Sequence, residues 1–594
     1  MNRREFLKFS GLCAAGMVCG TAGCGSNAKN SPRDGRTRKP NIVLILTDDQ
    51  GFGDIRSHGN ELINTPVMDR IAAEGARLER FFVSPVCAPT RAALLTGRYY
   101  LRCGVHGVTR TYETMRSEEV TLAEILKQNG YATGCFGKWH NGAHYPHNPK
   151  GQGFDEFVGF CAGHWNNYFD TTLEHNNREI KTNGYISEVC TDAAIDFINK
   201  NSDRPFFCYV PYNLPHSPFQ VPDRYFDKYK DKGLDIQTAC AYAMCENLDD
   251  NIGRMLRALK HNKLTNNTIV IFITDNGPNG KRYNSGMKGA KGSVDEGGVR
   301  VPCFIRWPSH IEMGTVIKPI AADIDILPTI AELVGLKIPE RIVLDGKSLA
   351  PLLMKNGTEW PERMLFTKWG NKGGVRTEQY RLVVYPKRTE LYDMISDEGQ
   401  TKDVAGQQPV VAEKLKQAYD AWLKEVSSEG FDPIPIEIGH PERAEVVLAG
   451  HEAFLASAEG EGIRYAGKYG WANDWVADWE EIDAYPYWEV KVVREGKYEI
   501  GLMHVCSQED VGAKVRVEIG GRNVECTISK AHDPKPITSP DRVRRWEVYE
   551  KTWAVLEAGT VELKPWRGKL IVRAVSKTGR IVMDLKAVKI KRIG

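Results

Sequence analysis

Residues 41–51 read NIVLILTDDQG, an unbroken apolar run that ends in two adjacent carboxylates. Because apolar and polar residues do not alternate, the run predicts a central strand buried on both faces of a parallel sheet. Open α/β sheets place their ligands at the carboxyl ends of such strands, where Asp48 and Asp49 lie. Taken alone, these acids are explained more simply as caps of a following helix.

A second strand of the same kind, TIVIFIT at residues 268–274, ends in Asp275 and Asn276. Four oxygen-bearing side chains therefore follow two buried strands, a set that suits a hard cation such as calcium or magnesium. The sequence leaves open whether the two strand ends meet.

Residues 85–97, PVCAPTRAALLTG, predict a short helix that Pro89 opens and Gly97 ends. Cys87 is expected just before the amino end of this helix, where free amides and the helix dipole favour a bound sulfate or phosphate. Arg91 lies one turn inside and can reach back to such an anion.

The Cys-x-Pro-Thr-Arg run, followed by Ala-Ala-Leu-Leu-Thr-Gly, resembles the signature of type I sulfatases of the alkaline phosphatase-like superfamily. The resemblance implies that a maturation enzyme oxidises Cys87 to formylglycine. It also implies that the hydrated aldehyde, bound to calcium or magnesium, supplies the oxygen nucleophile. Cys87 is therefore expected among the metal ligands, beside Asp48, Asp49, Asp275 and Asn276.

Residues 130–140, GYATGCFGKWH, resemble the second sulfatase motif, in which Gly-Lys-x-His ends a strand. Phe136 departs from the smaller residue usual in that family. Residues two apart on a strand face the same way, so Lys138 and His140 can enter one site. The resemblance implies that His140 takes a proton late in the reaction and that Asp275 helps to deprotonate the hydrate.

Two further segments supply cationic residues. His216 lies between prolines after a strand predicted at 205–210, and the resemblance makes it the general acid for the leaving group. Lys291 stands five residues before Glu296, the family's spacing for an active-site lysine. Lys288 does not have this spacing and is the reserve candidate. Arg91, Lys138 and Lys291 would stabilise the charge on the sulfate oxygens.

The resemblance runs from about residue 39 to residue 430. It implies an α/β fold with a central, mostly parallel sheet and a small antiparallel sheet, to which the LYDM run at 391–394 belongs. After the prolines at 433 and 435, alternating short strands predict an antiparallel β-sandwich. The expected divisions are a signal peptide at 1–24, a linker at 25–38, a catalytic domain at 39–360, its carboxyl-terminal subdomain at 361–432 and a sandwich at 433–594.

Tryptophan is concentrated in the sandwich, at positions 471, 475, 479, 488, 546, 553 and 566. Exposed aromatic rings stack on sugars, which favours a domain of the carbohydrate-binding-module type. Burial of these rings in the core, or against the catalytic domain, is the alternative.

The first residues indicate export. Arg3 and Arg4 precede an uncharged stretch too short to span a bilayer, so a cleavable signal is expected. The run resembles a twin-arginine signal, and a Sec route stays open. Thr21-Ala22-Gly23-Cys24 resembles a bacterial lipobox, with simple cleavage as the alternative. We expect an exported bacterial protein, periplasmic or anchored at the cell surface through a lipid on Cys24.

Composition excludes some classes of partner. The chain of 594 residues carries 79 Lys and Arg against 76 Asp and Glu, and its net charge of +3 argues against a nucleic-acid partner. The 14 cysteines show no paired spacing, so no disulfide framework is expected.

Residues 163–176 are polar and aromatic without helix or strand periodicity, and they predict a long loop. His164, Trp165, Asn166 and Asp170 suit a hydroxyl-rich ring, so a sulfated oligo- or polysaccharide is preferred to a small aryl sulfate as substrate. A phosphonate or phosphate monoester hydrolase of the same superfamily is one alternative. A non-catalytic glycan-binding protein is the weakest alternative, because it would be expected to lack one of the residues Cys87, Arg91, Lys138, His140 and His216, and all five are present.

Overall fold

The computed structural model describes residues 38–355, 360–457 and 461–594. The expected signal peptide, Cys24 and all but the last residue of the expected linker lie outside the described residues. Among the described residues, every helix is too short or too polar to cross a membrane. All eleven cysteines of this part of the chain are free thiols.

The first large unit is built on a mixed sheet of ten strands, most of whose central pairs are parallel. In spatial order its strands are Thr315–Ile317, Ala76–Leu78, Cys303–Arg306, Thr268–Thr274, Asn41–Thr47, Phe206–Pro211, Ala132–Lys138, Glu156–Phe160, Thr172–His175 and Arg178–Lys181. A small sheet lies beside it, with strands Arg300–Val301, Phe81–Phe82 and Ala321–Ala322.

Helices accompany this sheet. They are Pro66–Ala73, Cys87–Thr96, Leu122–Gln128, Ile186–Lys200, Asp223–Phe226, Ile236–His261, Glu296–Val299, Ile326–Leu333 and Ala350–Leu353. The helix Leu122–Gln128 begins at a capping box, in which Thr121 accepts a hydrogen bond from the Glu124 amide and Glu124 accepts one from the Thr121 amide.

The strand Asn41–Thr47 shows why an unbroken apolar run forms the centre of the sheet. Ile42, Leu44 and Leu46 belong to one buried cluster, and Val43 and Ile45 belong to another. Successive side chains of a strand point to opposite faces, so both faces must be covered to bury all five. The strand therefore lies in the interior of the sheet, between Thr268–Thr274 and Phe206–Pro211. Its carboxyl end lies near the middle of one sheet edge.

A four-stranded antiparallel sheet follows, with strands Leu365–Trp369, Lys372–Arg376, Tyr380–Val384 and Thr389–Asp393, and the helix Pro409–Val426 packs on it. The fold class expected from the sequence, an alkaline phosphatase-like α/β unit with antiparallel sheets after it, is confirmed. One local expectation is wrong: within the predicted loop, Thr172–His175 is a strand that pairs with Arg178–Lys181.

The last unit consists of two six-stranded sheets around one buried cluster. One contains Ile436–Ile438, Phe454–Ala456, Tyr485–Val492, Lys514–Ile519, Arg522–Thr527 and Trp566–Ser576. The other contains Glu445–Ala449, Arg464–Tyr465, Val476–Ala477, Gly496–Val505, Ala554–Leu563 and Asp584–Arg592. Trp475, Trp479 and Trp488 are buried, whereas Trp471 and Trp546 are exposed.

Candidate active site

The two acid-bearing strand ends meet. Strands Asn41–Thr47 and Thr268–Thr274 pair in parallel along their whole length, from Asn41 opposite Thr268 to Thr47 opposite Thr274. The Asn276 amide donates a hydrogen bond of 2.8 Å to Asp49, and the Asp49 backbone amide donates one of 3.1 Å to Asp275. The oxygen-bearing side chains after the two strands therefore form one fully buried cluster.

This cluster contains oxygen atoms that a cation could satisfy. Asp48 Oδ1 and Asn276 Oδ1 are buried without a hydrogen-bond partner among the described residues, an arrangement that costs free energy in a folded protein. Ligand atoms of Asp48, Cys87 and Asp275 lie within 4.8 Å of one another. Carboxylate and amide oxygens are the ligands that calcium and magnesium take, so the donor set fits such an ion.

Three cationic side chains from separate elements surround the carboxylates. Lys138 Nζ donates to Asp48 Oδ2 at 2.6 Å, and Lys291 Nζ donates to Asp49 Oδ2 at 2.9 Å. Arg91 donates to Asp275 Oδ2 through Nη2 at 2.8 Å and through Nε at 3.2 Å. Because Arg91 and Lys138 have almost no exposed surface, their charges are screened much less than charges in water.

The buried charges shift the pKa values of Asp48 and Asp275 in opposite directions. Burial opposes ionisation of Asp48, but Lys138, His216 and Arg91 hold the pKa of Asp48 below its usual range. Burial and the neighbouring Asp48 raise the pKa of Asp275 to about 7. Two carboxylates that share one site behave in this way, since the second charge is harder to form beside the first.

Cys87 is the first residue of the helix Cys87–Thr96, so the helix starts two residues earlier than the sequence suggested. It ends at Gly97, whose φ of 68° is the left-handed conformation that glycine adopts without strain. Burial raises the pKa of the Cys87 thiol despite the nearby Lys138 and Lys291. An unmodified thiol here is protonated and is a poor nucleophile.

The two histidines of the site are held by backbone carbonyl groups. His140 Nε2 lies 3.1 Å from the Val108 carbonyl oxygen, and burial lowers the pKa of His140 well below its usual value. His216 Nδ1 lies 2.7 Å from the Ser217 carbonyl oxygen, to which it donates. That contact leaves Nε2 of His216 facing the carboxylates, 3.8 Å from Asp49 Oδ2.

Some residues suggested by the sequence lie elsewhere or make structural contacts. Lys288 bonds to Tyr392 at 2.8 Å and to Glu390 at 3.3 Å, so its ammonium group is engaged by the four-stranded sheet. Asp170 accepts a hydrogen bond from the Gly184 amide in an exposed turn. Trp165 is half-buried, stacks on Phe160 and donates to Thr171.

His164 does lie beside the site, and it brings in a residue that the sequence analysis missed. Its ring lies 5.9 Å from that of His216, and its Nδ1 is 3.8 Å from Oε1 of Glu547. Glu547 also accepts a hydrogen bond of 2.7 Å from Ser217. Asn166, in turn, donates to Glu550 at 3.0 Å. The β-sandwich unit therefore reaches the site.

One signal could have identified this region. Residues 528–553, which connect the strands Arg522–Thr527 and Ala554–Leu563, form neither a helix nor a strand. Irregular segments of that length inside a compact domain are uncommon and are often functional.

Comparison with known proteins places these features in a family. The family model described as Sulfatase matches residues 40–336, half of the chain. A second model, N-sulphoglucosamine sulphohydrolase, C-terminal, matches residues 290–427. Both matches end before the β-sandwich begins.

Similar proteins carry sulfatase names. Mouse arylsulfatase J is 35% identical over an alignment of 330 residues that covers 52% of this chain and 55% of that protein, so the chain spans little more than half of its length. Human arylsulfatase A is 31% identical and covers 64% of this chain and 87% of its own. The crystal structure of Ps i-CgsB in complex with k-i-k-neocarrahexaose is 29% identical, with a TM-score of 0.62, and covers 65% of this chain and 93% of its own. The chain belongs to the sulfatase family.

Proposed function

We propose that this protein hydrolyses an O-sulfate ester on a sugar of a sulfated glycan, with a formylglycine made from Cys87 and a bound calcium ion. The observation that carries the proposal is the convergence of three cations and His216 on one cluster of oxygen donors at the amino end of the Cys87 helix. A sulfate ester is an anion whose charge is spread over its oxygens, and this arrangement is complementary to it.

Asp48, Asp49, Asp275 and Asn276 would hold the calcium ion, beside the side chain at position 87. When bound, the ion polarises sulfate oxygens as a Lewis acid. The formylglycine supplies an oxygen nucleophile in its hydrated form, which the protonated thiol of Cys87 cannot provide.

The residues of the chain orient and protonate the substrate. Arg91, Lys138 and Lys291 are placed by buried or partly buried ion pairs, so their charges need little rearrangement when a sulfate group enters. His216 presents Nε2 to the site because its Nδ1 donates to the Ser217 carbonyl. Burial and Lys291 lower the pKa of His216, and the charge of an entering sulfate favours its imidazolium form. We assign His216 the proton for the leaving oxygen and His140 a proton-accepting role.

A glycan substrate is supported by two observations. The structural relative Ps i-CgsB was crystallised in complex with k-i-k-neocarrahexaose. In this chain His164 lies beside His216, and its Nδ1 has no hydrogen-bond partner among the described residues, so it could accept a hydrogen bond from a sugar hydroxyl. We also propose that the protein is exported, acts in the periplasm or at the cell surface, and carries a lipid on Cys24. The mass of the mature amino-terminal peptide tests the cleavage and the lipidation.

Formylglycine and substrate class are tested on one preparation, produced together with a formylglycine-generating enzyme. Peptide mass spectrometry should show a loss of about 18 Da at residue 87. The same sample should release sulfate from sulfated sugars, whereas Cys87→Ala should not. A paired sulfate ester and phosphate ester of one alcohol distinguish the phosphatase alternative. An active enzyme with unmodified Cys87, or preference for the phosphate ester, would reject the proposal.

A further inference from the structure

One segment of the β-sandwich, residues 539–550, packs against the loop around Asn166 that borders the active site. Arg545 donates a 2.8 Å hydrogen bond to the Asn166 carbonyl oxygen, and Gln220 donates one of 2.7 Å to Asp541. Asn166 donates back to Glu550 at 3.0 Å. These hydrogen bonds join residues that are more than 300 positions apart in sequence. Together they hold the segment beside the site.

Glu547, which belongs to this segment, lies close to the proposed general acid His216. Ligand atoms of Glu547, His164 and His216 all lie within 4.8 Å of one another. The Glu547 side chain is 8% exposed, and that of His216 is 11% exposed. Glu547 therefore lies beside the residue proposed to protonate the leaving oxygen, whereas the cations proposed to bind the sulfate contact the carboxylate cluster.

A carboxylate at this place is unfavourable for an anionic substrate unless it has a partner. Like charges repel more strongly near a protein surface than in water, because the surroundings screen them less. The hydrogen bond from Ser217 does not require a full negative charge, since the carbonyl oxygen of a glutamine could accept it equally well. The contacts with Ser217 and His164 both use Oε1 of Glu547, so Oε2 can accept a hydrogen bond from a substrate.

We infer, on the basis of the proposed glycan sulfatase function, that Glu547 is a specificity-determining residue supplied by the β-sandwich. Its carboxylate accepts a hydrogen bond from a hydroxyl or protonated amine on the sugar ring that carries the leaving oxygen. It disfavours a ring with a second sulfate or a carboxylate at that position. The β-sandwich is thus part of the substrate site rather than a separate binding module.

The test compares wild type with Glu547→Gln on three substrates. The first is the monosulfated galactose or glucosamine isomer that wild type cleaves fastest, the second is the same sugar with a second sulfate on a neighbouring carbon, and the third is 4-nitrophenyl sulfate. Glu557→Gln is the matched control, because Glu557 is an exposed glutamate on Ala554–Leu563 of the same unit. All preparations are matched for formylglycine content.

We expect Glu547→Gln to lower kcat/KM on the monosulfated sugar by about tenfold, the effect of one charge-assisted hydrogen bond. The rate on the disulfated sugar relative to the monosulfated sugar should rise by at least a similar factor, while 4-nitrophenyl sulfate and the Glu557→Gln control change little. Equal loss on all three substrates, or no loss, would overturn the inference.

A second variant, Glu547→Asp, keeps the inference testable if Glu547→Gln does not fold. Glu547→Asp keeps the charge, so it should keep the discrimination against the disulfated sugar, and loss of that discrimination would also overturn the inference. Failure of the proposed function is distinct, because it would appear as a wild-type protein that contains formylglycine and releases sulfate from no substrate.

Discussion

Replacing Gly163 by alanine should disable the site through a single steric contact. A Cβ atom built on Gly163 would lie 2.2 Å from His140 Nε2 and 2.5 Å from Cε1 of the same ring. Ordinary contact requires at least 3.4 Å, so ring and loop must separate by about 1 Å. His140 is buried and its Nε2 is held by the Val108 carbonyl, which leaves the ring little room to move.

The expected consequence follows from the size of that displacement. A misplacement of about 1 Å at a reacting group costs about 10²-fold in rate, and overpacking costs about 1–3 kcal/mol of stability. We therefore expect kcat of Gly163→Ala to fall about 10²-fold, measured by sulfate release from protein matched for formylglycine. Gly406→Ala is the matched control, because a Cβ there meets no atom within 4 Å and its backbone needs no positive φ.

A double variant identifies the route of the effect. In a His140→Ala background the ring is gone, so Gly163→Ala should cause little further loss of kcat. A folded Gly163→Ala protein with activity within about threefold of wild type would refute the reasoning. So would a full further loss in the His140→Ala background.

Three other outcomes are expected. His216→Ala should lose about 10²-fold or more on a sugar sulfate and much less on an aryl sulfate, whose leaving group needs little protonation; equal losses would remove His216 as the acid. Chelation should abolish activity and calcium should restore it, while Asp275→Ala should lose calcium as measured by elemental analysis. Burial opposes ionisation of Glu437, but hydrogen bonds from His440 and Lys491 lower its pKa to about 2, so its stabilising effect is present above pH 4.5 and is lost as pH falls towards 2. Glu437→Gln should accordingly cost about 1 kcal/mol at pH 7 after solvent screening and almost nothing near pH 2, and a difference in unfolding free energy that does not depend on pH would contradict this.

The sequence predicts the centre of the catalytic unit well, because local patterns determine it. The apolar runs at 41–47 and 268–274 are strands, and the acids after them meet because parallel neighbours end at the same edge. The sequence predicts the start of the helix near Cys87 two residues late, because Pro89 indicates a first helical residue although proline fits any position of the first turn.

Contacts between distant segments could not be predicted in this way. Glu547 meets Ser217 across 330 residues, and no local periodicity records such a contact. The concentration of tryptophan in the β-sandwich likewise does not predict whether a ring is buried or exposed. Trp479 and Trp488 are core residues whose indole N–H groups donate to backbone carbonyls, whereas Trp546 is exposed. Composition alone does not distinguish a core ring from a surface ring.

The position of the strand Asp584–Arg592 affects when the β-sandwich can close during synthesis of the chain. This strand pairs with Gly496–Val505, Glu445–Ala449 and Val476–Ala477, so its sheet cannot close before the chain is almost finished. At about 5–20 residues per second, the interval between translation of the catalytic unit and of this strand is on the order of tens of seconds. During that time a nascent chain has the strands that carry Asp48 and Asp275 but lacks a positioned Glu547.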